Sequence, residues 1–254
     1  MSQLVEKLKQ VTEGDAQPMG FRTVARVGRP RPLLVASLAN AASPGAADHI
    51  AGADAMLAPL FGPGADAINK LAGPKSGLIP GGRLTETSGD ELGKSGVADL
   101  DFVVFPAASP SLPVLEAEAT GRVLEVEALA DSVLLRAAAR LPVDAVLVGG
   151  GEQPLTWQRL MVIQRLADLV DKPLLVPVAA GASQKEFQAL WDIGVDGFVV
   201  EVGVGPKDGL SKLRRVVSGL EPSSKGRRGE QGALVPPVIV QPGKQAEEEE
   251  EEEE

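Results

Sequence analysis

Short apolar runs recur along this chain at close to even spacing, beginning at Leu33, Ala55, Leu78, Phe102, Val123, Ala145, Leu174 and Phe198. Successive starts lie 22, 23, 24, 21, 22, 29 and 24 residues apart, and a helix-compatible stretch follows each run. A short strand plus a helix of about ten residues fits that period, and strands that alternate with helices build a parallel sheet. The runs FVVF (102–105), AVLV (145–148) and FVV (198–200) are apolar at consecutive positions. Both of their faces must therefore be covered, as in a sheet wrapped by helices. Eight such units predict an α/β fold, a closed (β/α)8 barrel over residues 32–220.

A finer repeat runs through the same units. Asp54, Asp101, Asp144 and Asp196 stand at the start of the second, fourth, sixth and eighth runs, while Arg31-Pro32 and Lys172-Pro173 open the first and seventh. This alternation predicts a two-strand unit repeated four times. The aspartates fall at strand N-termini, the end of such a barrel where recurring residues serve stability, so they are read as turn-formers.

Helix starts are signposted where the barrel needs them. Ser183 with Glu186 and Ser88 with Glu91 match the capping box, and Ser43-Pro44 is an N-cap followed by an N1 proline. After Thr156, the residues Trp157, Leu160, Met161, Ile163, Leu166, Ala167 and Val170 form a broad apolar stripe at helical spacing. Trp157 and Trp191 are read as packing anchors. Residues 1–31 form a lead-in whose Leu4, Val5, Leu8 and Val11 make an amphipathic helix able to plug or flank the barrel, with FRTVARV as an irregular or hairpin segment. Residues 221–254 turn to charge, proline and a run of glutamates, which predicts a disordered acidic tail.

Composition narrows the chemistry. With 254 residues and 44% hydrophobic content, one large core is expected. The net charge of −10 belongs mostly to Glu247–Glu254, since setting those eight aside leaves 27 acidic against 25 basic residues. A near-neutral body with an acidic tail disfavours nucleic acid and anionic membranes as partners. The N-terminus has no apolar h-region and no run of about 18 apolar residues occurs, so a soluble cytoplasmic protein is expected. Cysteine and tyrosine are absent and His49 is the single histidine, which leaves carboxylates, Lys, Arg and Ser/Thr for acid–base or nucleophilic work.

In this fold, function is expected where the strands end. Most exits carry unreactive residues: Asn40, Pro59, PGGR (80–83), Pro106 and GGGEQ (149–153). Carboxylates are the exception. In RVLEVEA, alternation sends Leu124 and Val126 to the helices and Val123, Glu125 and Glu127 into the barrel, and Glu201 in FVVEVG points inward by the same rule. An inward carboxylate must be paired, protonated or metal-bound. Glu125, Glu127 and Glu201 could hold Mg2+ or Mn2+, or act as acid–base groups. Alternatively they fill the barrel as buried salt bridges with Arg83 or another cation.

The loops AAGASQ (179–184) and VGVGPKDG (202–209) follow the seventh and eighth strands, where such barrels bind phosphate through backbone amides. With them, the segment KPLLVPVAAGASQKEFQALWDIGVDGFVVEVG, about a fifth of the chain, resembles the last quarter of phosphate-binding TIM barrels. The likeness is to those of the indole-glycerol-phosphate synthase, thiamine-phosphate synthase and FMN-dependent oxidoreductase type. The resemblance implies that Gly181, Ala182, Gly203 and Gly205 present amides to a phosphate, with Lys207 adding positive charge. It implies FMN only as a lesser variant. This sequence departs from the pattern by placing Glu201 in the eighth strand. It also carries no lysine at a strand C-terminus, since Lys75 and Lys172 precede strands, which disfavours a Schiff-base aldolase.

Leu33–Leu220 takes 188 residues for eight units, against roughly 250 for a typical member of the fold. Short loops suit a small ligand, a partner subunit such as a homo-oligomer that completes the site, or no catalysis. Two functions follow. One is a lyase, isomerase or transferase acting on a small anionic or phosphorylated metabolite, and the other is a non-catalytic metabolite-binding or scaffold barrel with the acidic tail as a contact arm.

Overall fold

A computed structural model of the chain describes residues 2–13, 31–38, 49–60, 68, 71, 77–84, 100–108, 119–202 and 209–222. A helix α1 (Gln3–Glu13) precedes strands β1 (Leu33–Leu38), β2 (Ala55–Pro59), β3 (Ile79–Arg83), β4 (Phe102–Pro106) and β5 (Gly121–Val126). From there helices and strands alternate as α2 (Ser132–Arg140), β6 (Ala145–Val148), α3 (Trp157–Leu169), β7 (Leu174–Pro177), α4 (Gln184–Asp192), β8 (Gly197–Val202) and α5 (Gly209–Ser218). Every strand pairs in parallel with its neighbours in chain order, and β8 returns to β1 to close the barrel. All eight strands start within two residues of the apolar runs that predict them.

Alternation along each strand divides the core in two. Leu34, Ala36, Leu124, Val126, Val146, Phe198 and Val200 face outward into the layer shared with the helices. Val35, Leu57, Phe102, Val104, Val123, Leu147 and Leu175 fill the lumen. Gly81 on β3 leaves the space that the Phe102 ring occupies, since a Cβ there would overlap it. The lumen is closed at the strand N-termini by α1, whose Leu4, Leu8 and Val11 join the inner cluster with Trp191. The lead-in helix therefore plugs the barrel.

The four aspartates do more than form turns. Asp54, Asp144 and Asp196 each donate a backbone N–H to the carbonyl of Leu34, Arg122 or Leu174 on the preceding strand, at 2.8 Å in all three cases. Each also accepts, through one carboxylate oxygen, the N–H of that same residue at 2.9 Å. Asp101 makes the backbone half of this clamp with Pro80, at 3.1 Å. Proline has no N–H to complete it. The freed carboxylate instead accepts from Ser2 Oγ at 2.7 Å, Gln3 N at 2.7 Å and Leu4 N at 3.0 Å. It thus serves as a remote N-cap for α1, where helix amides otherwise lack partners. Gly121 completes the seat, because a Cβ there would lie 2.6 Å from Ser2 Oγ and 2.8 Å from Val5 Cγ2.

The capping box at Ser183 and Glu186 forms as expected, and Thr156 caps α3 by accepting from Arg159 N. Trp191 is buried, but Trp157 is 82% exposed, so its reading as a packing anchor is corrected. Ile163, Leu166, Ala167 and Val170 bury one face of α3, and Trp157 and Met161 lie outside it. Ser43-Pro44, Ser88 with Glu91, FRTVARV and the acidic tail lie outside the described residues. No helix among the described residues is long and apolar enough to cross a membrane.

Candidate active site at the C-terminal mouth

Glu125 points into the barrel, as alternation requires, with its side chain 13% exposed. Its Oε1 lies 2.6 Å from Arg83 Nη2, which reaches it from the end of β3 across β4. The arginine side chain stays 40% exposed and retains further N–H donors beyond the one given to Glu125. Gly149, the first residue past β6, stands beside this pair, and a Cβ there would approach Glu125 Oε1 to 3.4 Å.

Glu127 lies one residue past the end of β5 and is exposed. Glu201 is exposed near the end of β8, three strands around the barrel from Glu125. Among the described residues no group of three or more His, Asp or Glu side chains gathers closely enough to hold a metal ion. The expected Mg2+ or Mn2+ shell of Glu125, Glu127 and Glu201 is therefore not gathered here, and Glu125 is instead paired with Arg83.

A fourth carboxylate enters instead. Glu152 Oε1 accepts the backbone N–H of Glu201 at 2.8 Å, bridging the loop after β6 to β8. Partial burial raises the Glu152 pKa above its ordinary value, the Glu201 amide draws it back down, and the Glu201 carboxylate raises it further. A carboxyl lifted in this way is suited to exchange protons nearer neutral pH. Sequence reasoning passes over Glu152 as part of an unreactive glycine loop. The signal available is GGG itself, since Gly150 (φ 92°) and Gly151 (φ 65°) adopt left-handed backbone and so aim the following residue.

Arg159, in the first turn of α3, secures that loop. Its Nη1 donates to Gln153 Oε1 at 2.8 Å, and its Nη2 donates to the carbonyls of Gly151 and Pro177, both at 3.3 Å. Gln153 Nε2 in turn donates to the Gly150 carbonyl at 3.1 Å. Burial lowers the Arg159 pKa, yet a guanidinium so placed remains cationic at neutral pH.

The expected phosphate cradle divides between described and undescribed residues. Gly181 and Ala182 line a cavity of about 290 Å³ with Leu155, Arg159, Val176 and Val178. Gly181 opens to free space, but the Ala182 N–H is spent on the Ala179 carbonyl at 3.0 Å. The Ser183 N–H is spent on Glu186 Oε2 at 2.7 Å. Ala182 therefore does not present its amide, and the Glu186 carboxylate already occupies the end of α4 where an anion would bind. Gly203, Gly205 and Lys207 lie outside the described residues.

No protein-family model matches this chain, and no curated protein matches it. Solved structures do. A 3-keto-L-gulonate-6-phosphate decarboxylase from Vibrio cholerae superimposes with a TM-score of 0.58 at 15% identity, covering 76% of this chain and 100% of its own. An orotidine 5'-phosphate decarboxylase from Pyrococcus horikoshii gives 0.54 at 15% identity, over 73% and 100%. A 3-hexulose-6-phosphate synthase from Salmonella typhimurium gives 0.52 at 14% identity, over 73% and 98%. At such identities the likeness is one of fold, and it places the chain among (β/α)8 TIM barrels.

Proposed function

We propose that this barrel is an enzyme performing acid–base chemistry of lyase, isomerase or transferase type on a small phosphorylated or otherwise anionic metabolite. The observation that carries the reading is Glu152, a carboxyl with a raised pKa held against Glu201 at the mouth where barrels of this fold place their chemistry. Glu152 is the proton donor and acceptor, its pKa kept high by partial burial with the Glu201 carboxylate adding to it. Arg83, half-exposed and oriented by Glu125, offers its remaining donors to the anionic group of the substrate. Arg159 is a positioning residue that holds the Glu152 loop. The neighbours support the substrate class, since three are named for phosphate esters and a further one, from Streptococcus mutans, was solved in complex with a small phosphorylated sugar.

A metabolite-binding barrel without catalysis is the second reading, favoured by the direct Glu125–Arg83 pair, which also serves as barrel filler.

A thermal-shift panel of inorganic phosphate, sugar phosphates and nucleotide monophosphates tests the proposal. A ligand at about 100 times its Kd stabilises the native state by about 2.7 kcal/mol. We expect at least one sugar phosphate to raise the Tm of the parent and of Glu152→Gln, with the shift lost in Arg83→Gln. Turnover of that ligand, followed by NMR, is expected in the parent and not in Glu152→Gln. Binding without turnover in the parent selects the second reading, and a panel that never moves the parent Tm defeats both.

A further inference from the structure

Five large apolar side chains stand open to solvent on one side of the molecule. They are Leu129 (75% exposed) in the loop before α2, Val133 (70%) and Leu134 (65%) in the first turn of α2, and Trp157 (82%) and Met161 (70%) on the first two turns of α3. The two helices pack against each other, and Arg165 Nη2 of α3 donates to the Ala130 carbonyl at 2.9 Å. The loop bearing Leu129 is thereby tied to the helix bearing Met161, and the five form one patch. Taking about 150–250 Å² for a large side chain when fully open, they leave on the order of 700 Å² uncovered. The largest apolar patch of a typical monomer is about 300–600 Å².

We infer that this α2/α3 face is the interface of a homodimer. The area decides the occupant, because each partner of a standard-size interface contributes about 800 Å², which this patch nearly supplies by itself. A two-fold contact sets the same patch against itself, so apolar surface meets apolar surface without a second site. The same two helices and the cap of α2 carry exposed charges of both signs, Arg136, Arg140 and Arg165 with Asp131 and Asp168, so a second copy brings carboxylates as well as guanidinium groups. Trp157 follows directly on the loop of Glu152 and Thr156, so the second copy stands beside the mouth and walls a site whose own loops are short. The inference rests on the surface and not on the chemistry proposed at the mouth.

Sedimentation velocity on the full chain from about 1 to 100 µM tests it, with acrylamide quenching of tryptophan fluorescence alongside. Trp191 is buried and contributes a constant background, so quenching reports Trp157. The expected result is a species of twice the chain mass at the upper concentrations, with Trp157 becoming accessible on dilution. Trp157→Glu and Met161→Glu are expected to sediment as monomers with unchanged far-UV circular dichroism, since both positions are exposed. A monomer at every concentration overturns the inference, as does a dimer that survives both substitutions. A monomer whose Trp157 is shielded at every dilution assigns the patch to another segment of the same chain and overturns it equally.

Discussion

The two ends of this barrel use carboxylates in opposite ways. At the strand N-termini Asp54, Asp101, Asp144 and Asp196 each receive at least one backbone amide. Asp54 adds both guanidinium nitrogens of Arg214, at 2.8 and 2.5 Å. At the C-terminal mouth Glu152 receives a single amide, and its pKa is raised chiefly by partial burial and further by the Glu201 carboxylate. What sets Glu152 apart is its surroundings, because burial and a neighbouring like charge both disfavour the ionised form and the single amide offsets them only in part. Stability is concentrated at the first end and reactivity at the second.

Removing a carboxylate from each end sharpens the contrast. The largest effect is expected for Asp54→Ala, which strands the Leu34 amide and leaves Arg214 without its partner. Loss of about 3 kcal/mol is expected, read by urea denaturation. Asp101→Ala is expected to cost about 2 kcal/mol, because it uncaps α1 at two amides and at Ser2 while the apolar face of the helix keeps its place in the lumen. Limited proteolysis should then cut within α1 before it cuts the strands. Equal losses at Asp54, Asp101 and Glu152 would erase the distinction between the ends.

The same contrast shows how much of the molecule was legible in the sequence. Strand positions, the inward and outward faces of β5 and β8 and an amphipathic lead-in helix were readable, because a parallel barrel buries both strand faces at a regular period and α1 carries an amphipathic spacing, although that spacing left open whether the helix plugs or flanks the barrel. The Glu125–Arg83 pair was readable as one of two alternatives, since strand alternation gives direction but not partner. Glu152 was not readable. It sits on a loop without periodicity, and its character comes from burial in the folded loop together with an amide and a carboxylate 49 residues away. The role of Asp101 was hidden for a related reason, because it depends on the missing N–H of Pro80 on the adjacent strand. Trp157 and Met161 were absorbed into a stripe broader than the face α3 buries.

The smallest effects come from two glutamates at the mouth itself, whose pKa values move in opposite directions and so show that the local surroundings, and not the end of the barrel alone, set a carboxyl's character. Glu186 accepts from Ser183 N and Oγ in the capping box of α4, and those bonds hold its pKa below the ordinary value. A carboxyl lowered on folding releases its proton more readily in the native state. Its contribution is therefore present above the unfolded value and is lost as pH falls through the folded one. Glu152 is raised, so its native state binds the proton more tightly. Its contribution is present in acid and is lost as pH climbs through the folded value. Glutamine retains a carbonyl acceptor at both positions and removes only the charge. Glu186→Gln is expected to melt slightly below the parent at neutral pH and to match it in acid. Glu152→Gln should melt slightly above the parent at neutral pH and lose that advantage in acid. Both differences should stay below about 1 kcal/mol, because solvent screens groups at the rim. Melting curves recorded from the carboxyl titration range to neutrality check the signs, and parallel pH slopes for the two variants would show that the two glutamates do not occupy opposed environments.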